Sequence, residues 1–402
     1  MKLEIIPEPE LEFGTGKHID IRFGMAHYKP FDYADPRAPK DIKLGIVGNN
    51  EGIEGFSTWL EKCRSGVAAK ESRQPHLFPT FPGYGEGSNL PAPLVLTGQT
   101  QRAIKQIEFD KIAKIADTNS GIRQAVTLFV EEIEYLAQNT STDIVMCCVP
   151  NSLLDYMDVV EVAQDGKKQA KLDFRDFLKA QVMRLSMHTQ LILPSTYDTS
   201  KRRPQKKRTT RLKSNQDEAT RAWNLYTALY YKAKGTPWRL IRDPAQLTAC
   251  YVGVSFYRTT DGENLETSIA QVFNERGDGI IVRGGAARIS KEDRQPHLSS
   301  KDAHDLLFRA LEMYRKEHLT LPARVVLHKS STYNVEELEG FRSALEEQRI
   351  STFDLITFGN TDFRLFRDAN YPPLRGTFLT LDSQRHILYT KGGSVAKSCT
   401  VG

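Results

Sequence analysis

No stretch of this 402-residue chain approaches the ~18 consecutive apolar residues that a membrane-spanning helix needs. The opening residues, MKLEIIPEPELEFG, lack the basic region and apolar run of a secretory leader and carry acids instead. Cysteine is scarce and unpatterned. Cys63, Cys147, Cys148, Cys250 and Cys399 make an odd set of five without metal-ligand spacing. This argues against a disulfide framework or a zinc cluster, and reduced thiols in a cytoplasmic protein are the simplest reading. Internal repeats and long low-complexity tracts are also missing.

One further absence is local. Between Lys201 and Lys213 there is no acidic residue, while eight of the thirteen positions are basic: Lys201, Arg202, Arg203, Lys206, Lys207, Arg208, Arg211 and Lys213. The whole chain carries +5 and this block alone +8, which leaves −3 on the remainder. The protein is therefore not generally basic but holds one concentrated cationic loop. Such a loop suits a polyanion, most often nucleic-acid phosphate, and the plain alternative is a solvated charge run.

At this length two or three domains are expected, and strand-like and helix-like segments alternate as in α/β proteins. Residues 1–40 read as an irregular arm rich in Pro, Gly and aromatics. Asp41–Val47 reads as a first strand, Thr100–Ile115 and Gly121–Gln138 as amphipathic helices, and Asp143–Val149 as a buried strand. A helix from Phe174 to about Ser186, with Asp173 and Asp176 as cap and partner, precedes a strand at Gln190–Leu193. After the basic loop comes a helix over Gln216–Lys234, with Asn215 and Glu218 as capping pair. Gly235-Thr236-Pro237 stops it and marks the domain boundary, giving domains at 41–237 and 238–402. Arg175 and Lys179, four apart, share the polar face of the first of these helices.

The order Arg175-x3-Lys179, Thr189-Gln190, then Lys232 ahead of Gly235 resembles the MID domain of Argonaute proteins. The resemblance implies that Arg175, Lys179, Gln190 and Lys232 grip the 5′-phosphate of a guide strand. Ammonium and guanidinium groups would neutralise the dianion and the Gln amide would donate to it. His188, Gln190 and Tyr197 are the nearest candidates to contact the first base. On this view the basic loop tracks guide phosphates beyond the pocket. The following residues resemble a PIWI domain, an RNase H fold, through the ordered succession VGVSF, VVLHKS, RGT and LYTKG. They read as a strand (Thr248–Tyr257), a hairpin (Glu266–Gly285), a helix (Lys301–Leu319), a strand (Ala323–Lys329) and a helix (Val335–Ile350). The expected fold is thus α/β, a Rossmann-like MID domain followed by an RNase H-like PIWI domain.

Departures from the family pattern limit the activity. Cleaving members hold two divalent ions with carboxylates, because hard cations need anionic oxygens. The corresponding positions here are Ser255 and Ser330, with Ser331 the alternative, and Glu292 is the nearest loop acid for a mobile glutamate. The chain is expected to be catalytically inactive and to hold no metal, with at most a Mg2+ ion accompanying the 5′-phosphate. It looks like a short prokaryotic Argonaute of MID and PIWI only. That implies a small RNA guide, a complementary DNA target and no membrane. It also implies a separate APAZ-containing effector (SIR2, TIR or nuclease) that performs the toxic step in antiviral or anti-plasmid defence. Two rivals stand beside it. One is a sequence-specific DNA-binding regulator using the basic loop and the helix after it. The other is a nucleotide-binding enzyme suggested by Gly45-Ile-Val-Gly48, Gly52 and Gly55, whose spacing matches neither common phosphate-binding fingerprint.

Overall fold

The strand Ile42–Gly48 buries Ile42, Leu44, Ile46 and Val47 almost completely, the mark of a strand covered on both faces. In this computed structural model it lies inside a four-stranded parallel sheet. Leu94–Ala103 flanks it on one side, and Ile144–Cys148 followed by His188–Ile192 on the other. The structure describes residues 2–72, 78–85, 87–157, 172–198, 200, 216–241, 247–258, 265–273, 279–282, 287–359, 361, 363–366 and 373–390. Two compact units divide the chain: Leu11–Arg239, and Met1–Glu10 together with Leu240–Gly402.

In the Leu11–Arg239 unit, alternate strand residues feed two cores. Ile42, Leu44, Ile46, Ile144, Met146 and Cys148 face the helices Asn50–Arg64 and Glu218–Lys232. Val47, Val145 and Cys147 face Thr118–Asn139 and Phe174–Val182. This two-sided covering is the Rossmann-like arrangement expected from the alternation of elements. Cys147 and Cys148 lie in the buried strand, and burial pushes the Cys147 thiol up to about 12.

Three local expectations need correction. Thr100–Ile115 is not one helix. Leu94–Ala103 is a strand hydrogen-bonded beside Ile42–Gly48, and the helix is confined to Gln106–Ile112. Pairing to the central strand outweighs an amphipathic pattern that Thr97, Gly98 and Thr100 support only weakly. Residues 1–40 are not irregular throughout. They include the strands Lys2–Ile5, Leu11–Glu12 and Lys17–His18, and a helix Ile21–Tyr28 whose N-terminus is capped by the Asp20 carboxylate. The capping pair Asn215–Glu218 is replaced by Asp217, which accepts from Thr220 N at 3.0 Å, so the helix starts at Glu218; Asn215 itself lies outside the described residues.

The second unit is built on a five-stranded sheet. Its order is Gly279–Val282, Leu265–Phe273, Ala249–Arg258, Arg324–Lys329, Thr352–Thr357. The first two junctions are antiparallel and the last two parallel. A hairpin, a crossover helix (Ser300–His318), a parallel strand and a second helix (Val335–Glu347) give the RNase H-like topology. Both helices cover one face, where Cys250, Val252, Val254, Val325 and Leu327 are buried. Leu319 ends the first helix in a left-handed conformation (φ 63°), and Asn334 with Glu337 forms a complete capping box on the second.

Candidate functional site

The helix Phe174–Val182 buries Phe174, Leu178 and Val182, which turns Arg175 and Lys179 to solvent one turn apart. Asp173 caps it, accepting from Asp176 N at 2.8 Å. Across from it, the Glu218–Lys232 helix buries Leu229 and Tyr230 and delivers Lys232 in its last turn, half-buried, against the strand His188–Ile192. The Lys232 ammonium donates to the Thr189 carbonyl at 2.7 Å and to Gln190 Oε1. Gln190 Nε2 in turn donates to the Leu191 carbonyl at 3.2 Å.

Electrostatics ties the remaining members in. Burial, followed by the charges of Lys179 and then Arg175, holds the Lys232 ammonium down at about 8, from an ordinary value of 10.5. Lys179 and Arg175 on one helix thus act on Lys232 of the other, and an anion would relieve their mutual repulsion. His188, at the start of the same strand, is also held below its ordinary value, by partial desolvation and then by Lys232 and Lys234. Tyr197 packs in the core on the face of the sheet that the Glu218–Lys232 helix covers, its ring on Phe56 (6.5 Å between centroids) and over Gly55. The basic-loop residues Lys201, Arg202, Arg203, Lys206, Lys207, Arg208, Arg211 and Lys213 lie outside the described residues.

The glycines of the nucleotide-binding rival are occupied by protein. A Cβ at Gly48 would lie 2.7 Å from the Cys148 carbonyl oxygen, one at Gly55 would lie 2.6 Å from the Tyr197 ring, and one at Gly45 would lie 2.8 Å from Leu136. They permit close packing and do not cradle a phosphate. The regulator reading also loses its recognition helix. Ala219, Ala222, Trp223, Leu225, Tyr226, Leu229 and Tyr230 of that helix are buried, so most of its surface is spent on the core and only the stripe through Asn224 and Tyr231 faces out.

In the second unit the parallel register pairs Gly253 with His328 and Val254 with Lys329, the residues just before Ser255 and Ser330. Both serines are exposed, whereas Ser331 is buried and donates to the Pro296 carbonyl at 2.8 Å. Among the described residues no group of three or more His, Cys, Asp or Glu could hold a metal ion. Glu292 sits in the turn after Ser290, its backbone N–H donating to Ser290 Oγ at 3.1 Å.

Sequence reasoning missed a charge network beneath that position. The fully buried Lys329 donates to Glu337 Oε2 at 2.6 Å and to the Thr332 carbonyl at 2.7 Å. Glu337 Oε2 also meets His297 Nδ1 at 2.9 Å, and His297 Nε2 meets Asp293 at 2.9 Å. Hydrogen bonds from Gln295 N and His297 hold the Asp293 carboxyl down at about 2. The only signal in the sequence was the capping spacing Asn334-x-x-Glu337. Nothing marks Lys329, at the end of an apolar strand, as a buried lysine.

Solved structures share this architecture. Marinitoga piezophila Argonaute, in complex with 5′ OH guide RNA, is similar over 97% of this chain and 49% of its own, at TM-score 0.51 and 14% identity. Clostridium butyricum Argonaute, bound to a guide DNA and a 19-mer target DNA, is similar over 94% and 43%, at TM-score 0.54 and 13% identity. Drosophila Piwi is similar over 98% and 46%, at TM-score 0.50 and 13% identity. No family model matches the sequence, and no curated protein matches it. The chain spans about half the length of these structures or less. The likeness is therefore one of fold: this chain is built on the Argonaute-like pattern of a Rossmann-like unit followed by an RNase H-like one.

Proposed function

We propose that this chain binds a short guide strand by its 5′-phosphate and uses it to recognise a complementary nucleic acid without cutting it. The observation that carries this reading is Lys232 bonded to Thr189 and Gln190, with its ammonium held at about 8 by burial and by the charges of Lys179 and Arg175. A dianionic phosphate would accept charge-assisted hydrogen bonds from all three cations, and the Gln190 amide could turn to donate a fourth. Guide-bound neighbours of the same fold support the ligand class, and one of them pairs a guide RNA with a target DNA. The Marinitoga piezophila complex holds a 5′ OH guide. The 5′-phosphate is thus the specific point to test, and the cation cluster argues for it here.

The proposal continues to the RNase H-like unit. With serine at 255 and 330, where the resemblance expects carboxylates, those two positions would offer two-metal hydrolysis no anionic oxygen. The chemistry of defence would then fall to a partner, an APAZ-containing effector with a SIR2, TIR or nuclease domain, which the guide and target complex activates. A small RNA guide and a DNA target are the proposed pair.

Nucleic acid that copurifies with the chain tests the core of the proposal. Short strands that accept a 5′ end label only after phosphatase treatment are expected. Strands that label equally well without it would show that the phosphate is not what the pocket selects.

A further inference from the structure

We propose that His18, Phe23 and His27 form a stacking platform for a base of single-stranded nucleic acid, on the Leu11–Arg239 unit. This rests on the nucleic-acid-binding reading above and adds a second contact to it, one that engages bases and not the 5′ end. The segment is Lys17–Lys29, KHIDIRFGMAHYK, with Lys17, Arg22 and Lys29 as cations and Asp20 as its one acid. Asp20 is engaged locally: its Oδ1 accepts from Arg22 N and Phe23 N, each at 2.9 Å, and so caps the Ile21–Tyr28 helix.

That helix buries Gly24 and Met25, and a Cβ at Gly24 would collide with the Phe13 ring. The core of the unit takes Phe13, Met25 and Tyr28 from this region but not Phe23. Phe23 meets Tyr28 edge-on (6.1 Å between centroids) and stacks with two histidines. The His18 centroid lies 4.3 Å away with the planes 27° apart, and the His27 centroid 4.1 Å away with the planes 34° apart. His18 is fixed in this stack because its Nδ1 receives the Asp20 N–H at 2.9 Å. His27 ends the stack and is exposed.

A ladder of three rings outside the core, on a segment that carries three cations and one acid, has the two parts of a single-strand site. Every base offers a π face, so stacking tolerates any sequence, and cations beside it meet the backbone. The phosphate pocket would anchor one end of a strand, and this platform would hold a base of it.

Fluorescence anisotropy with a single-stranded RNA of about 16 nucleotides, compared with an abasic strand of equal length, tests the platform. Phe23→Ala and His27→Ala are each expected to weaken RNA binding roughly 5- to 30-fold, as losing one stacked base should. They should leave the abasic strand and the ratio between 5′-phosphate and 5′-hydroxyl RNA unchanged. Unchanged RNA affinity in both variants, or an equal loss on the abasic strand, would overturn the proposal. His27→Ala decides should Phe23→Ala fail to fold, because His27 is on the surface. If wild-type protein shows no 5′ preference yet both variants still lose RNA, the phosphate reading fails and the platform stands.

Discussion

Lys232 shows how one side chain can report the ligand of a site. Its ammonium is held at about 8 by burial, Lys179 and Arg175. Below that pH the free protein carries the charge a phosphate needs; above it Lys232 is neutral, and binding must first take up a proton. The second ionisation of a phosphate monoester lies near 6, so the dianion is complete above roughly 7. Affinity for a 5′-phosphorylated strand should therefore peak between these limits and fall as pH rises through about 8. A 5′-hydroxyl strand should show no such fall in a titration of Kd against pH. Lys329 is a buried cation of another kind, paired with Glu337, although burial still holds its ammonium below the ordinary value. Lys329→Met leaves Glu337 with a buried, half-answered charge and should cost about 3–5 kcal/mol in chemical denaturation. Adding Glu337→Gln should recover part of that loss. The two sites were unequally legible. Arg175, Lys179, Gln190 and Lys232 fall in an order that could be read, whereas Asp293, His297, Lys329 and Glu337 meet only through folding.

Among the elements, strands of the parallel sheet and long amphipathic helices could be read from periodicity, as Ile42–Gly48 and Thr118–Asn139 show. Leu94–Ala103 could not, since its membership depends on a hydrogen-bonded partner some fifty residues earlier. The helix Ile21–Tyr28 escaped because it is only eight residues long and interrupted by Gly24, although Asp20 was a readable cap. Close packing of elements shows where glycine is required. A Cβ at Gly340, in Val335–Glu347, would lie 2.1 Å from the Ser300 carbonyl oxygen at the start of the neighbouring helix. Alanine normally favours a helix over glycine by up to ~1 kcal/mol. Here the two helices must separate, so Gly340→Ala should instead destabilise by about 1–3 kcal/mol in urea unfolding.

For the molecule as a whole, the proposed function assigns binding to the basic segment and inactivity to Ser255 and Ser330. The loop from Lys201 to Lys213 supplies +8 to a chain whose remainder is −3. Replacing Lys206, Lys207 and Arg208 by Ala should weaken guide binding and flatten its salt dependence, by about 0.7 in log–log slope for each phosphate left without a cation. An unchanged slope would assign the loop another role. Incubation of the guide-loaded protein with a complementary strand and Mg2+ or Mn2+ should yield no cut product, and cleavage abolished by Ser255→Ala would reverse that assignment. The α/β class and the succession of two units were legible from alternating elements and ordered motifs. The division at Glu10, which joins the first strand to Thr377–Thr380, was not, because a four-residue strand leaves no trace of a partner so far along the chain.

The most direct measurement compares 5′-phosphorylated and 5′-hydroxyl forms of one short single strand, on wild-type protein and on Lys232→Met, at pH 7. The wild type should prefer the phosphorylated strand by about tenfold or more, the worth of a charge-assisted hydrogen bond, and Lys232→Met should erase most of that preference. Equal affinity of the wild-type protein for the two strands would contradict the assignment of this pocket to a 5′-phosphate.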